Sequence, residues 1–283
     1  MRNKFGFQKE WLHFTRTFRF GGILIAIFSL ALANPLLYKL LLVITEFLES
    51  DFDPVMLENA GITNTDGYFS SALDNAGMVF SMAMAELCAT AMLVIMLVMM
   101  SPCGGEQKKR ATIIPACSGL EYKDYLIPKF VLYPSVIFTA VFAACIIAGS
   151  LSNALFTQNL VDFGMLLLAS LLCGIYITFF FVIYMAIGIC TSRPGITTVL
   201  LYIGQTLISI ILIGLGLTRY NPFTLRALVT SEMFVEGFSL ETEAISIIVA
   251  VVLSIVIGVL MFYLTLAVLT SKKINNQENK PEF

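Results

Sequence analysis

The sequence predicts an all-α membrane protein, and two observations carry that prediction. Apolar residues make up 58% of the 283 residues and charged residues only 13%, and the mean hydropathy is +0.87. Soluble domains carry about 25% charged and 45–50% apolar residues. The apolar residues also fall in six runs of about 20 residues or more, the length that an α-helix needs to cross a bilayer. We therefore predict one polytopic transmembrane domain over residues 1–270, with six spans.

An amphipathic helix is predicted ahead of the first span, over residues 5–20. Aromatic residues recur there at helical spacing, and basic residues fall on another face. Such a helix lies in the headgroup plane with its aromatic side chains toward the lipid, or it packs on protein outside the bilayer. The residues that we expect at the membrane interface are Trp11, Phe14, Arg16 and Phe18.

The six runs set approximate bounds for the spans. They are about 21–44, 76–100, 130–149, 163–190, 196–217 and 244–269. Pro35 falls inside the first run, where a proline kinks a helix or marks its outer end. The polar tail over 271–283 is expected to be disordered.

Lysine and arginine are distributed unevenly between the two faces of such a bundle. Fourteen of them fall on the face that holds both termini, the loop 101–129 and Arg193, and three fall on the other face. The opposite face carries 12 acidic residues. The positive-inside rule then predicts a multi-pass protein of the cytoplasmic membrane with both termini in the cytoplasm.

The loop 101–129 is the longest polar and basic interruption between apolar runs. Pro102 and the pair Gly104–Gly105 end a helix, and three consecutive cations over 108–110 keep the segment out of the bilayer. We expect a partner protein to dock on this loop.

Motifs for catalysis are absent from the sequence. It contains no P-loop, no dinucleotide-binding fingerprint, no HExxH and no GxSxG. The one histidine, His13, lies in the amphipathic segment, and the six cysteines form no CxxC pair. We expect no enzyme activity, no metal and no cofactor on this chain, and no nucleic acid partner.

Two polar residues inside the spans are candidates for a substrate pathway. Glu86 lies about 21 Å from the end of the second span, at 1.5 Å per residue, where a carboxylate is costly unless it meets water or a partner. It either lines a pathway or is hydrogen-bonded to a neighbouring helix. Gln205 is the second candidate, in the fifth span.

The order of these features resembles the ABC-2 type transporter permeases. The resemblance rests on the end of the first span, Asn34 to Lys39 (NPLLYK), on the loop Gly105 to Thr112 (GEQKKRAT), and on Lys129 before the third span. Ala111 departs from the family pattern, which has glycine before the threonine.

The resemblance implies the permease subunit of a type V ABC exporter. In that family two permeases pair, as a homodimer or a heterodimer, and dock on two separate nucleotide-binding ATPase subunits, which bind ATP and magnesium. The amphipathic segment would be an elbow helix, and residues 221–229 would form a short helix that dips back toward the membrane. The residues implied in coupling to the ATPase are Glu106, Lys108, Lys109, Arg110, Thr112, Glu121, Lys123 and Arg193.

Other classes of membrane protein stay open at the level of sequence. A channel would show clustered polar residues within its spans, and here only Glu86 and Gln205 approach that pattern. A secondary transporter would show inverted repeats, and the sequence has no internal repeat. A membrane scaffold that needs no ATPase is the remaining alternative.

Overall fold

The computed structural model shows a helical bundle. It describes residues 2–51, 74–100, 102, 122–191, 193–217, 219–234 and 240–278. Within these ranges the only β-type pairing is an isolated bridge between Asn75 and Gln158. The helices are α1 (Arg2–Arg16), α2 (Arg19–Asp51), α3 (Ala76–Glu86), α4 (Met92–Val98), α5 (Tyr122–Leu155), α6 (Phe163–Cys190), α7 (Pro194–Gly214), α8 (Leu225–Thr230) and α9 (Leu240–Glu278).

Two kinds of irregular helix complete the architecture. A π-helical segment, Leu87–Ala91, joins α3 to α4, so that the two form one continuous span. Short 3₁₀ turns, Pro222–Thr224 and Glu232–Phe234, stand on either side of α8.

Six of the described helices are long and apolar enough to cross a membrane, which confirms the predicted number of spans. Their apolar stretches are Arg19–Thr45, Ala76–Val98, Tyr122–Leu155, Phe163–Cys190, Gly195–Gly214 and Glu243–Ser271. The chain is therefore an all-α, multi-pass membrane protein.

Several helix boundaries differ from those that hydropathy predicted. Helix α5 begins at Tyr122 rather than at residue 130, and α9 continues to Glu278, past its predicted end at residue 269 and into the tail expected to be disordered. Helix α2 runs through Pro35 to Asp51 without ending there. Hydropathy locates the apolar part of a helix, whereas backbone hydrogen bonding extends through polar turns beyond it.

The amphipathic segment also ends earlier than predicted. Helix α1 stops at Arg16, and Phe18 takes a positive φ of 57°, which turns the chain into α2. The Thr17 hydroxyl donates to the carbonyl of His13 at 2.7 Å, and Gly22 N donates to the carbonyl of Phe18 at 2.9 Å. Phe18 therefore lies in the turn and not on the face of α1 that carries Trp11.

Helix α6 is the centre of the bundle. In its apolar stretch 61% of the residues are buried, against 22% in α2, 22% in α7 and 17% in α9. The consecutive residues Phe179, Phe180 and Phe181 are all buried, and the first two make edge contacts with Phe223 at centroid distances of 5.3 and 5.5 Å. The broad apolar faces that α2, α7 and α9 leave exposed are suited to hydrocarbon rather than to water.

The loop between α5 and α6 holds the start of α3 in place. Ala76 N and Gly77 N donate to the carbonyls of Gln158 and Asn159 at 2.9 and 3.2 Å, and Asn75 caps α3 by accepting from Met78 N at 3.0 Å. The first backbone N–H groups of α3, which have no partner inside the helix, are satisfied in this way.

Asp74 adds a charged contact at the same place. Its carboxylate accepts from the backbone N–H of Thr157 at 2.9 Å and from the Thr157 hydroxyl. Burial acts to raise the pKa of Asp74, but these hydrogen bonds, with the charge of Lys39, hold the pKa below its ordinary value of 3.8.

We predict that Asp74→Asn destabilises the protein at neutral pH by about 1 kcal/mol, since a hydrogen-bonded carboxylate is replaced by a neutral amide. Because the folded-state pKa lies below the unfolded one, the carboxylate stabilises fully above pH 3.8 and loses this effect as the pH falls through the folded-state pKa. Thermal unfolding of wild type and variant in detergent from pH 7 downward measures the difference.

Thr157→Val provides the matched control for this prediction. It removes the hydroxyl partner of Asp74, so Asp74→Asn should cost less in a Thr157→Val background than in the wild type. Two results would contradict this role of Asp74. One is an equal loss of stability from Asp74→Asn in both backgrounds, and the other is a stability difference between wild type and Asp74→Asn that does not shrink toward acid pH.

Candidate functional site

A buried ionic cluster lies where α1, the chain after α4 and the start of α5 meet. We define it as Glu10, Lys129 and Tyr133 together with the backbone carbonyl of Pro102. The Lys129 side chain is fully buried, and Glu10 and Tyr133 are 4% and 1% exposed. Three segments distant in sequence therefore share one enclosed polar contact.

Lys129 is the charge at the centre of the cluster. Its Nζ donates to the carbonyl oxygen of Pro102 at 3.1 Å and lies 4.0 Å from Oε2 of Glu10. The same Nζ lies 4.6 Å from the centroid of the Tyr125 ring, within the range of a cation–π contact. The ammonium group is thus surrounded by a carboxylate, a carbonyl and an aromatic face.

Glu10 connects the cluster to α1. The Tyr133 hydroxyl donates to Oε2 of Glu10, the same oxygen that faces Lys129. One turn further along α1, the ring of Phe14 packs on the rings of Tyr133 and Phe20 at centroid distances of 5.3 and 5.7 Å. Polar and apolar contacts together hold α1 against α5.

The local sequence explains why these side chains converge. Glu10 and Phe14 are four residues apart, as are Tyr125, Lys129 and Tyr133, so each set lies on one face of its helix. Burial then favours the pairing, because a lysine charge inside an apolar bundle is strongly disfavoured unless it is paired and hydrogen-bonded.

Sequence reasoning noted Lys129 only as part of the resemblance and missed Glu10 and Tyr133. A signal was present: Glu10 is the first acidic residue of the chain, and no other precedes Glu46. A single carboxylate among the basic residues of an amphipathic segment is a candidate partner for a cation elsewhere in the fold.

The residues expected to couple to an ATPase are only partly within the described ranges. Glu106, Lys108, Lys109, Arg110, Thr112 and Glu121 lie outside the described residues. Lys123 is exposed in the first turn of α5, and Arg193 is exposed immediately before α7.

The four residues expected at a membrane interface take different positions. Phe14 is buried against the bundle, Trp11 is 42% exposed, Arg16 is exposed at the end of α1, and Phe18 is 72% exposed in the turn before α2. Burial of Phe14 shows that one side of α1 packs on protein. The interfacial position of the other side stays a prediction.

Glu86 lies at the junction between α3 and the π-helical segment. Its carboxylate accepts a hydrogen bond from Thr90 one turn further on, and the side chain is partly exposed. The partner therefore belongs to the same helix rather than to a neighbouring one. A π-helical turn often accompanies a functional position, because it shifts the face that each later residue presents.

Gln205 faces the interior of the bundle from α7. The side chain is 3% exposed, and neither its amide oxygen nor its amide nitrogen has a hydrogen-bond partner in the described part of the chain. Ser209, one turn along, donates to the carbonyl of Phe223 at 3.0 Å. The structure does not bring Gln205 and Glu86 into a shared cavity among those described.

The segment around α8 packs into the bundle, and its dipping back toward the membrane, which the resemblance implies for residues 221–229, stays a prediction. Leu225, Val229 and Met233 are 2%, 0% and 3% exposed, and α8 packs between α3 and α6. Asn221 caps the first 3₁₀ turn by accepting from Phe223 N at 3.0 Å.

Three of the four cysteines in the described ranges behave as small buried residues, and the fourth, Cys190, is partly exposed. Cys88, Cys145 and Cys173 are fully buried, and the sulfur atoms of Cys88 and Cys173 are 3.7 Å apart. No group of three or more potential metal ligands occurs among the described residues.

No protein-family model, curated protein or solved structure matches this chain. Its function must therefore be argued from the bundle and from the buried ionic cluster.

We predict that Glu10→Ala lowers the stability of the fold by about 3–5 kcal/mol, because it leaves the Lys129 charge buried without its carboxylate. The double variant Glu10→Ala with Lys129→Met removes both charges and should recover much of that loss, and the single variant Lys129→Met is the fourth corner of the comparison. Unfolding of the purified protein in mixed micelles gives the free energies for this double-mutant cycle.

Lys123→Met is the matched control, because it removes a lysine from the same helix at an exposed position and should change stability by less than about 0.5 kcal/mol. A Glu10→Ala variant as stable as Lys123→Met would show that the cluster does not hold α1 in place.

Proposed function

We propose that this chain is the permease subunit of an ATP-driven ABC exporter of the cytoplasmic membrane. It would pair with a second permease and with separate ATPase subunits, which bind ATP and magnesium. The observation that carries the proposal is the buried ionic cluster, because it joins the elements on both sides of the basic loop to the N-terminal helix. The six-span bundle and the packed α8 segment agree with the same layout.

The cluster holds together the two segments that flank the basic loop. On one side of residues 103–121, the carbonyl of Pro102 accepts from Lys129; on the other side, Lys129 itself lies in the second turn of α5. Glu10 adds α1 to the same contact. A force applied to the loop would therefore act on the end of the second span, the start of the third span and α1 together.

A transport cycle can use this arrangement without catalytic groups on the chain. ATP binding would bring the two ATPase subunits together and displace the loop, and α5 would carry that displacement along its 34 residues. Helix α5 packs on α6, the most buried span, so its motion would reach the centre of the bundle. Glu86 and Gln205 are our candidates for residues that a substrate meets.

The acidic face supports the proposed orientation. The described contact between Arg219 and Glu243, at 2.9 Å, pairs one of the few cations of that face with one of its acids. With the basic loop and both termini in the cytoplasm, an ATPase would find the loop on its own side of the membrane.

We predict that a P-loop ATPase co-purifies with the chain from its native membrane, and that Lys108/Lys109/Arg110→Glu strongly reduces its recovery, because three cations of the docking loop become acids. Affinity purification in mild detergent followed by mass spectrometry measures the recovery. Substitution of three tail lysines, Lys272/Lys273/Lys280→Glu, is the matched control of equal charge and should leave recovery unchanged.

Two other outcomes would have distinct meanings. Equal recovery with both triple variants would keep the transporter proposal but move the docking surface to residues 111–127. Absence of any ATPase, in conditions that preserve other membrane complexes, would reject the exporter in favour of a channel or scaffold.

A further inference from the structure

A cleft with a volume of about 210 Å³ lies between the third, fourth and sixth spans. Its walls come from α5, α6 and α9 and are apolar except for two hydroxyl groups. Its lining includes Phe138 of α5, Thr178 and Val182 of α6, and Ser254, Ile255 and Gly258 of α9.

The position of the cleft along its helices places it at the middle of the bilayer. Phe138 lies near the centre of α5, Thr178 near the centre of α6, and Ile255 near the centre of the apolar stretch of α9. At 1.5 Å per residue, each of the three is about 18 Å or more from either end of its span. Since the hydrocarbon core is about 30 Å thick, the cleft faces acyl chains and not headgroups.

The polar groups of the wall do not prepare the cleft for a polar ligand. Ser254 donates to the carbonyl of Ala250 at 2.8 Å, so its hydroxyl hydrogen is used within its own helix. The hydroxyl of Thr178 has no hydrogen-bond partner in the described ranges, and the Ser254 oxygen can still accept, so these two hydroxyls are the groups of the wall that could select a hydroxylated ligand.

The cleft reaches the surface of the bundle at its α9 side. Ile255 is 62% exposed, so a molecule in the surrounding hydrocarbon can enter from the side. Gly258 lines the same side, and a Cβ there would be in ordinary van der Waals contact with the Val182 side chain, at 3.8 Å, so a longer side chain at this position would extend into the cleft. On the other side, Phe138 fills the space over Gly174, where a Cβ would lie 3.1 Å from its ring.

The volume and lining select one class of occupant. An apolar cavity of about 150 Å³ in a soluble protein stays dry and binds benzene, so a larger apolar cleft within hydrocarbon has no reason to hold water. A helix of a second protein copy is about 10 Å across and would cover the cleft without entering it. A single flexible hydrocarbon chain can enter.

We propose that this cleft binds one hydrocarbon chain of a bilayer lipid, as a built site rather than as part of the general lipid surface. The inference does not depend on the exporter proposal, because it rests on the wall of the cleft and on its depth alone.

Native mass spectrometry of the purified chain tests the site, with Gly258→Leu as the variant. The added side chain projects toward Val182 and occupies the cleft. We expect the wild type to retain one tightly held lipid per chain as detergent is removed, and Gly258→Leu to lose it. Gly204→Leu is the matched control, because a Cβ at that glycine of α7 meets nothing within 4 Å.

Thr178→Val separates a hydrocarbon from a hydroxylated ligand. The valine has nearly the same shape but no hydroxyl, so retention of an acyl chain should be unchanged. A loss of the retained molecule in Thr178→Val would overturn the proposal in favour of a ligand that hydrogen-bonds to the cleft. Equal lipid retention in the wild type and in Gly258→Leu would also overturn it.

A fluorescence measurement covers the case in which Gly258→Leu does not fold. Trp11 is the single tryptophan of the chain, so Trp11→Phe gives a background without tryptophan fluorescence. In that background, a tryptophan introduced as Ile255→Trp should stay quenched by mid-chain brominated lipid when unbrominated detergent is added, because the lipid in the cleft is retained. The fluorescence of Leu207→Trp, on the exposed face of α7, should recover. If the fluorescence of both tryptophan variants recovered together, the cleft would make only general lipid contact, and the proposal of a specific site would be overturned.

A contact between the cleft and another protein chain would give a result that differs from either lipid outcome. If Gly258→Leu changed the oligomeric state while the retained lipid stayed, the cleft would be covered by another chain and the lipid proposal would fail.

Discussion

A lysine charge enclosed in an apolar bundle must be compensated, and this requirement determines the structure at one end of the molecule. Lys129 is fully buried, and its compensation comes from Glu10, from the carbonyl of Pro102 and from the ring of Tyr125. Removing any one of these partners leaves the charge less well compensated, so α1, the end of the second span and the start of α5 depend on one another. A purely apolar contact among the same elements would tolerate sliding, whereas this one requires a particular geometry.

The other end of the bundle is fixed by backbone groups instead of a buried charge. The N-terminus of α3 is held by the carbonyls of Gln158 and Asn159 and by the Asn75 cap, and Asp74 accepts two hydrogen bonds from Thr157. The second span is thus attached at one end to the loop between α5 and α6, and at the other end it leads to Pro102 and the cluster. Within Ala76–Val98 it contains the π-helical segment Leu87–Ala91, where the regular α-helical hydrogen bonding changes.

The sequence was sufficient for the parts of the fold that depend on hydropathy. Six apolar runs predicted six spanning helices, and the structure has them. The sequence was insufficient where a tertiary contact decides where a helix begins. Residues 122–129 read as loop because Lys123, Asp124 and Lys129 are charged, yet they form the first two turns of α5, since the charge of Lys129 finds its partners inside the bundle.

The same distinction holds for the candidate sites. The positive φ of Phe18 has no hydropathy signal, so the helical spacing of the aromatic residues extended the predicted amphipathic helix one turn too far. Glu86 stood out as a carboxylate in an apolar run. Its hydrogen-bond partner, Thr90, is the residue that ordinary i to i+4 helical spacing offers, and the expectation of a partner on a neighbouring helix overlooked it. Gln205 was noticed as a polar residue, and only the structure shows that its amide is enclosed without a partner in the described chain.

The distribution of burial connects these local features to a possible division of mechanical roles. Helix α6 is buried on most sides, and α5 lies against it and carries the ionic cluster at its start. Helices α2, α7 and α9 bury less than a quarter of their apolar stretches. A displacement applied to the basic loop would therefore act on the packed centre, because α5 is the element that the loop and the centre share; α5 also contacts α2 and α9 directly. Since Lys129 is paired near its start, α5 would move as one piece, whereas a helix whose first turns were free would bend at the loop.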